Sequence, residues 1–106
     1  MGRYATIKRE FMFLAKTYGF DIYMKQKRGS WYFITWRNTN KKIKVLYNEL
    51  AEQDPITIFI YDSNSLGFDA DEYINEFDQR SGSPREKIHR AAEWLKKAIE
   101  EKRITV

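Results

Sequence analysis

The spacing of apolar residues changes at Gly19, and this change constrains the fold more than any other feature. Before it, apolar residues recur every three or four positions, which is typical of one face of a helix. The residues of this stripe are Ile7, Phe11, Leu14 and Tyr18. Gly19 follows where a helix commonly ends in a left-handed residue. After it, apolar and polar residues alternate, as in a half-buried strand, so the chain is predicted to pass from a helix into a sheet.

Four segments of this alternating kind follow one another. They are 20–25, 31–37, 42–47 and 56–61. Each is rich in aromatic or β-branched residues, which favour strands. The connections between them are short, and consecutive strands with short connections usually pair as neighbours. The sequence therefore predicts a four-stranded antiparallel meander.

Two further helices are predicted after the strands. Asp69 and Glu72 have the spacing of a helix-capping pair, which predicts a short helix over Tyr73, Ile74 and Phe77. The run Ser83-Pro84-Arg85-Glu86 is a stronger start signal, and its helix should extend to about Lys102. The apolar stripe of that helix, which should pack on the sheet, is Ile88, Ala92, Leu95 and Ile99. The fold class is therefore α+β, in a single domain over residues 1–106.

The residue types that ordinary catalysis and metal binding use are scarce. The chain has no cysteine and one histidine, His89, and one histidine without cysteine cannot build a typical zinc site. The loop starting at Asp62 partly matches a calcium-binding loop, but Tyr73 stands where the bidentate glutamate belongs. Carboxylates alone could still do acid–base work. We predict a protein that is not an enzyme, with no cofactor and no metal.

The N-terminal apolar run, residues 11–15, is short and flanked by charged residues. It is therefore not expected to be a signal peptide or a membrane span. The absence of cysteine fits a reducing compartment, and a cytoplasmic protein without membrane contact is predicted.

The strand face opposite the helices should combine aromatic and basic side chains. The candidate binding residues on it are Tyr23, Trp31, Phe33, Trp36, Arg37, Lys42, Lys44, Phe59 and Tyr61. In the second strand, either the set with Trp31, Phe33 and Arg37 or the set with Tyr32 and Trp36 faces outward, because a shift of one residue exchanges the two faces. Three interpretations are open. Residues 62–82 or a helix cover the face, a protein partner occupies it, or single-stranded nucleic acid stacks on it.

Charge is distributed unevenly along the chain. Residues 1–53 contain eleven Lys and Arg against four Asp and Glu, whereas residues 54–106 contain eight against eleven. An acidic segment in the second half is a further candidate surface, and its residues are Asp62, Asp69, Asp71, Glu72 and Glu76. Such polarity indicates a charged partner.

One resemblance bears on the type of partner. The pattern Phe11-x-x-Leu14, Tyr18-Gly19-Phe20, Trp36-Arg37-Asn38 and Ile43-x-Val45-x-Tyr47 resembles small uncharacterised bacterial α+β proteins, some of which are similar to the immunity proteins of polymorphic toxin systems. The resemblance implies stoichiometric binding of a protein. The acidic segment would then neutralise a basic toxin site.

The prediction is therefore a small bacterial interaction protein, similar to immunity proteins, whose partner is a toxin or a second copy of itself. The alternative is a protein that binds single-stranded nucleic acid through the aromatic and basic sheet face.

Overall fold

The computed structural model describes residues 2–51, 53–63, 72–75 and 77–106. Its elements follow the order helix, helix, five strands, helix. The bounds are α1 Arg3–Glu10, α2 Phe13–Tyr18, β1 Asp21–Arg28, β2 Trp31–Arg37, β3 Lys41–Asn48, β4 Ile56–Asp62, β5 Glu72–Ile74 and α3 Pro84–Glu100. The predicted α+β fold, with a helix before the meander and a helix after it, is confirmed.

The predicted N-terminal helix is interrupted at Phe11 and Met12. The amide of Leu14 bonds to the carbonyl of Phe11, three residues back, at 3.0 Å, so the chain tightens between α1 and α2. The apolar stripe still reaches one core, because Ile7, Phe11 and Leu14 are fully buried. Gly19 ends α2 with φ of +71°, as predicted.

The sheet is an antiparallel meander with the strand order β1-β2-β3-β4-β5. Gly29, with φ of +61°, allows the tight turn between β1 and β2. Between β2 and β3, the Asn38 side chain accepts bonds from the amides of Asn40 and Lys41 at 2.8 and 2.7 Å. Side chains that satisfy nearby backbone amides in this way stabilise turns.

The short helix predicted from Asp69 and Glu72 is wrong where the structure can be compared with it. Residues 72–74 form β5, in which Ile74 pairs with Ile58 of β4. Asp69 lies outside the described residues. The backbone groups on this edge of β4 need hydrogen-bond partners, and β5 supplies them. This pairing joins residues that are distant in sequence, so local sequence spacing does not reveal it.

Both long helices pack on one side of the sheet. Helix α1 contacts α3 and β2, and α3 contacts β4. The fully buried residues between helices and sheet include Ile7, Phe11, Leu14, Ile34, Trp36, Ile43, Ile56, Ile58, Leu95 and Ala98. We call this side of the sheet the inner face and the opposite side the outer face.

Helix α3 begins with a capping box. The Ser83 hydroxyl accepts a bond from the Glu86 amide, and the Glu86 carboxylate accepts one from the Ser83 amide, both at 3.2 Å. Pro84 occupies the first turn, where its missing N–H costs nothing. The start predicted from sequence is therefore confirmed. Within the described residues, none of the helices is both long enough and apolar enough to cross a membrane.

Candidate functional site

The strand register determines which side chains reach the outer face. Trp36 pairs with Ile43, and Ile34 with Val45, and all four lie in the core beneath the helices. Because side chains alternate along a strand, the intervening residues of β2 project to the outer face. By register the outer face contains Trp31, Phe33, Thr35 and Arg37 of β2, Lys42, Lys44 and Leu46 of β3, and Thr57, Phe59 and Tyr61 of β4.

The prediction that Trp36 is a binding residue of the outer face is wrong. Its indole is fully buried, with its ring centre 5.8 Å from that of Phe11 in the helical layer. The segment WYFITWR has large side chains on both faces of the strand, so composition could not decide between the two registers. The set with Trp31, Phe33 and Arg37 is the outward one.

A β-bulge at Tyr23 changes which face of the sheet the later residues of β1 project from. Ile22 pairs with Trp36, but Met24 pairs with Thr35, so Tyr23 is an extra residue in the ladder. Beyond the bulge Lys25 lies on the inner face, where its Nζ is 4.7 Å from the centre of the Tyr4 ring. Unbroken alternation from Tyr23 would put Lys25 on the outer face, and the bulge reverses this by pairing Lys25 with the buried Ile34.

Lys44 lies at the centre of the aromatic cluster on the outer face. Its Nζ is 5.4 Å from the ring centre of Phe33, 5.1 Å from that of Phe59 and 5.6 Å from that of Tyr61. Cation–π attraction operates within about 6 Å of a ring centre. The three rings and the ammonium group therefore hold one another in place across β2, β3 and β4.

A second group of cations surrounds Tyr23 at the β1 side. The guanidinium carbon of Arg37 is 4.3 Å from the centre of the Tyr23 ring, and the Nζ of Lys42 is 5.3 Å from it. Tyr23 is nevertheless 47% exposed. The bulge therefore presents a phenol ring, flanked by two cations, to solvent.

Two pairs of nearly parallel rings run along β2 and β4. Trp31 and Phe33 have ring centres 6.3 Å apart with planes 20° from parallel, and Phe59 and Tyr61 have centres 6.4 Å apart at 23°. Trp31 is 44% exposed. The outer face therefore consists of two aromatic rows on either side of the lysines of β3. We call this surface, with Tyr23 and Arg37, the aromatic–cationic face.

Positive charge predominates on the outer face. By register the described strand residues place Arg28, Arg37, Lys42 and Lys44 there, with the carboxylate of Asp21 opposite Arg37 at the edge. The helices that the structure describes pack on the other side. The face can therefore attract anionic groups and present flat apolar rings to them.

The acidic segment proposed from sequence is described only in part. Asp62 is exposed and accepts a bond from Lys41 Nζ at 3.0 Å, and this pair lies on the inner side at the end of the sheet. Glu72 is in β5, and Asp69, Asp71 and Glu76 lie outside the described residues. The role of the segment stays a prediction.

His89 has a partner that the sequence did not reveal. Its Nδ1 lies 2.8 Å from a carboxylate oxygen of Glu10, which is on α1. Because 79 residues separate the two, the spacing rules used on the sequence could not find this contact. His89 also contributes to a cleft of about 810 Å³ along α3, together with Phe77, Arg90 and Trp94. Among the residues that the structure describes, no group of three or more His, Cys, Asp and Glu side chains could hold a metal ion.

No protein-family model matches the chain, and neither a curated protein nor a solved structure shows significant similarity to it. The resemblance to immunity proteins therefore stays a prediction.

Proposed function

We propose that this protein is a non-catalytic interaction protein that binds a macromolecular partner through the aromatic–cationic face. The observation that supports this proposal is the exposure of rings on the side of the sheet away from the helices. Trp31 is 44% exposed and Tyr23 is 47% exposed. A sheet that faces solvent on one side normally carries polar residues there, so exposed aromatic side chains favour an interaction surface.

The rings are also held in fixed positions before a partner binds. Phe33, Phe59 and Tyr61 surround one ammonium group, that of Lys44, at 5.1 to 5.6 Å. Side chains that are already ordered lose less conformational entropy when a partner binds. The surface lies on paired strands rather than on loops, so its backbone is also fixed before binding.

The composition of the face favours binding over bond breaking. By register the described strand residues present aromatic rings, lysines and arginines there, and Asp21 contributes its carboxylate at the edge. Nucleophilic catalysis needs a nucleophile held beside a base, and acid–base catalysis needs a proton donor or acceptor held at the reacting atoms. The His89–Glu10 pair lies on the helical layer, away from this surface.

The partner in this proposal is a protein, such as a toxin or a second copy of this chain, or alternatively single-stranded nucleic acid, and the proposal includes a location in the bacterial cytoplasm. Charge bears on which partner would fit. The aromatic–cationic face suits an acidic surface, whereas the acidic segment would suit a basic one. The two surfaces therefore predict partners of opposite charge.

The proposal can be tested by photo-crosslinking in the native cells. p-Benzoylphenylalanine is placed at Trp31, on the aromatic–cationic face, or at Lys8, an exposed residue of α1. Position 31 should crosslink to a partner macromolecule, either a protein or a nucleic acid, and position 8 should not. Excess unlabelled wild-type protein should compete for the crosslink, because a specific site is saturable.

The same label can be combined with Lys44→Ala, which removes the cation at the centre of the cluster. The crosslink from position 31 should then weaken. Equal crosslinking from positions 31 and 8, or none from position 31, would contradict the proposal.

A further inference from the structure

We infer that the partner of the aromatic–cationic face is single-stranded nucleic acid, with bases stacked on the exposed rings and phosphates bound by Arg37, Lys42 and Lys44. This inference rests on the proposed function and specifies its ligand.

The ring rows have a spacing that suits stacked bases. Trp31 and Phe33 lie on β2, and Phe59 and Tyr61 on β4, so one strand separates the two rows. Neighbouring strands are about 4.8 Å apart, which places the rows roughly 10 Å apart. Bases stack on aromatic side chains with little preference for sequence, because every base has a π face. Each row can therefore receive a base.

The cations lie where the backbone of such a strand would pass. Lys42 and Lys44 belong to β3, which runs between the two ring rows. Arg37 pairs with Lys42 across β2 and β3 and extends the positive charge toward Tyr23. A nucleic-acid backbone that links a base on one row to a base on the other would cross these cations. Lys and Arg that neutralise phosphates release condensed counterions, and this release contributes to affinity.

The central lysine favours nucleic acid over a protein partner. Lys44 lies within 5.6 Å of three ring centres, so it occupies the middle of the surface rather than its rim. Protein–protein interfaces are depleted in lysine, especially at their cores. A surface that binds single strands combines stacking rings with backbone-tracking cations, and the aromatic–cationic face shows both.

A single strand fits this surface better than a duplex. In a duplex the bases are already stacked on one another, and their faces cannot reach protein rings. On the outer face, the side chains of Leu46 and Thr35 are only 6% and 9% exposed. Contact with a ligand therefore falls to the rings and cations around them.

The inference can be tested by fluorescence anisotropy with the full chain. The probes are fluorescein-labelled twelve-nucleotide dT and rU oligomers, and the control ligand is a duplex of the same length. The single strands should bind, and the duplex should bind more weakly. With three phosphate contacts the slope of log K against log salt should be about −2, which means a loss of roughly 20-fold between 50 and 200 mM salt.

Two variant pairs separate local contacts from net charge. Lys42→Ala/Lys44→Ala and Lys96→Ala/Lys97→Ala both remove two positive charges, but Lys96 and Lys97 are exposed on α3. The first double variant should bind oligomer more weakly and with a shallower salt slope, and the second should bind almost as the wild type does. Trp31→Ala should weaken binding about 5- to 150-fold through lost stacking.

Circular dichroism checks that each variant is folded. If the β3 double variant is unfolded, Trp31→Ala decides the question, because that side chain is 44% exposed. The inference is overturned if the folded wild-type protein does not bind the oligomers at 50 mM salt, if the duplex binds equally well, or if the two double variants lose affinity equally. If the oligomers fail but position 31 crosslinks to a protein, the proposed function stands and only this inference fails. If both experiments fail, the proposed function and this inference are both wrong.

Discussion

The side-chain amide of Gln79 hydrogen-bonds to both backbone groups of Ile56. Its Oε1 accepts from the Ile56 N–H at 2.7 Å, and its Nε2 donates to the Ile56 carbonyl at 2.9 Å. Ile56 begins β4, and the described residues of β5 pair with β4 from Ile58 to Ile60. Gln79 therefore continues the ladder on that edge of β4 with a side chain in place of a strand residue. At 1% exposure it is one of the few buried polar side chains in the described part of the core.

Gln79→Leu should lower the free energy of unfolding by about 1–3 kcal/mol, because it leaves buried backbone groups without partners. Urea denaturation followed by circular dichroism measures the change. Arg80→Ala is the control, since Arg80 is the exposed neighbour and its change should stay within about 0.5 kcal/mol. An equal effect of the two substitutions would mean that the Gln79 bonds contribute little.

Trp36→Ala should cost about 3–5 kcal/mol, because it empties a fully buried site against Phe11. Trp31→Ala, which alters the outer face of the same strand, should cost about 1 kcal/mol or less. Urea denaturation of the two variants compares them directly. If Trp36→Ala does not fold, the other tryptophans are replaced by Phe, which keeps an aromatic ring in the core, to give proteins with one tryptophan. Acrylamide quenching of these proteins should show Trp31 accessible and Trp36 protected. The reverse order would show that the faces of β2 are exchanged.

The contrast between Trp31 and Trp36 shows where sequence reasoning reached its limit. Gly19 and the Ser83–Glu86 pair act through residues close in sequence, so their roles as helix end and helix start were predictable. The register of β2 depends on which face the helices cover, and both of its faces carry aromatic residues.

For the same reason, the sequence predicted only part of the candidate site. Seven of its nine outer-face candidates follow from alternation within single strands once the register is known, and Trp36 was the error. Tyr23 reaches the outer face through a bulge, for which the local sequence carried no glycine signal. Gln79–Ile56 and His89–Glu10 join residues distant in sequence, and only the tertiary structure brings them together.

Glu86→Gln should destabilise the protein at neutral pH and have less effect in acid. The Ser83 amide and hydroxyl and the nearby Arg90 hold the pKa of Glu86 below its ordinary value of 4.5. A depressed folded-state pKa contributes stability above the ordinary value, and this contribution is lost as the pH falls through the folded-state value. Gln keeps the carbonyl acceptor, so the comparison isolates the charge. The urea midpoints of the wild type and of Glu86→Gln are measured at pH 7 and at pH 3. A difference between the two proteins that is the same at both pH values would contradict the prediction.

Tyr47→Phe should make the protein more resistant to alkali. Tyr47 is 4% exposed, and burial raises its pKa above 10.0, an effect that Arg3 partly opposes and Glu49 reinforces. The folded chain therefore holds the phenol proton after the unfolded chain has released it. Stability from this group is full below pH 10 and is lost as the pH rises through the folded-state value.

The free energies of unfolding of the wild type and of Tyr47→Phe should consequently converge or cross between about pH 9 and pH 11, with the wild type falling faster. Urea denaturation at intervals across that range measures the difference, and tyrosinate absorbance shows when phenols ionise. The Arg3 guanidinium lies 5.4 Å from the Tyr47 ring centre, so Arg3→Gln should remove the opposing influence and steepen the loss of stability. A difference between wild type and Tyr47→Phe that stays constant with pH would show that burial of this phenol does not contribute to alkaline unfolding.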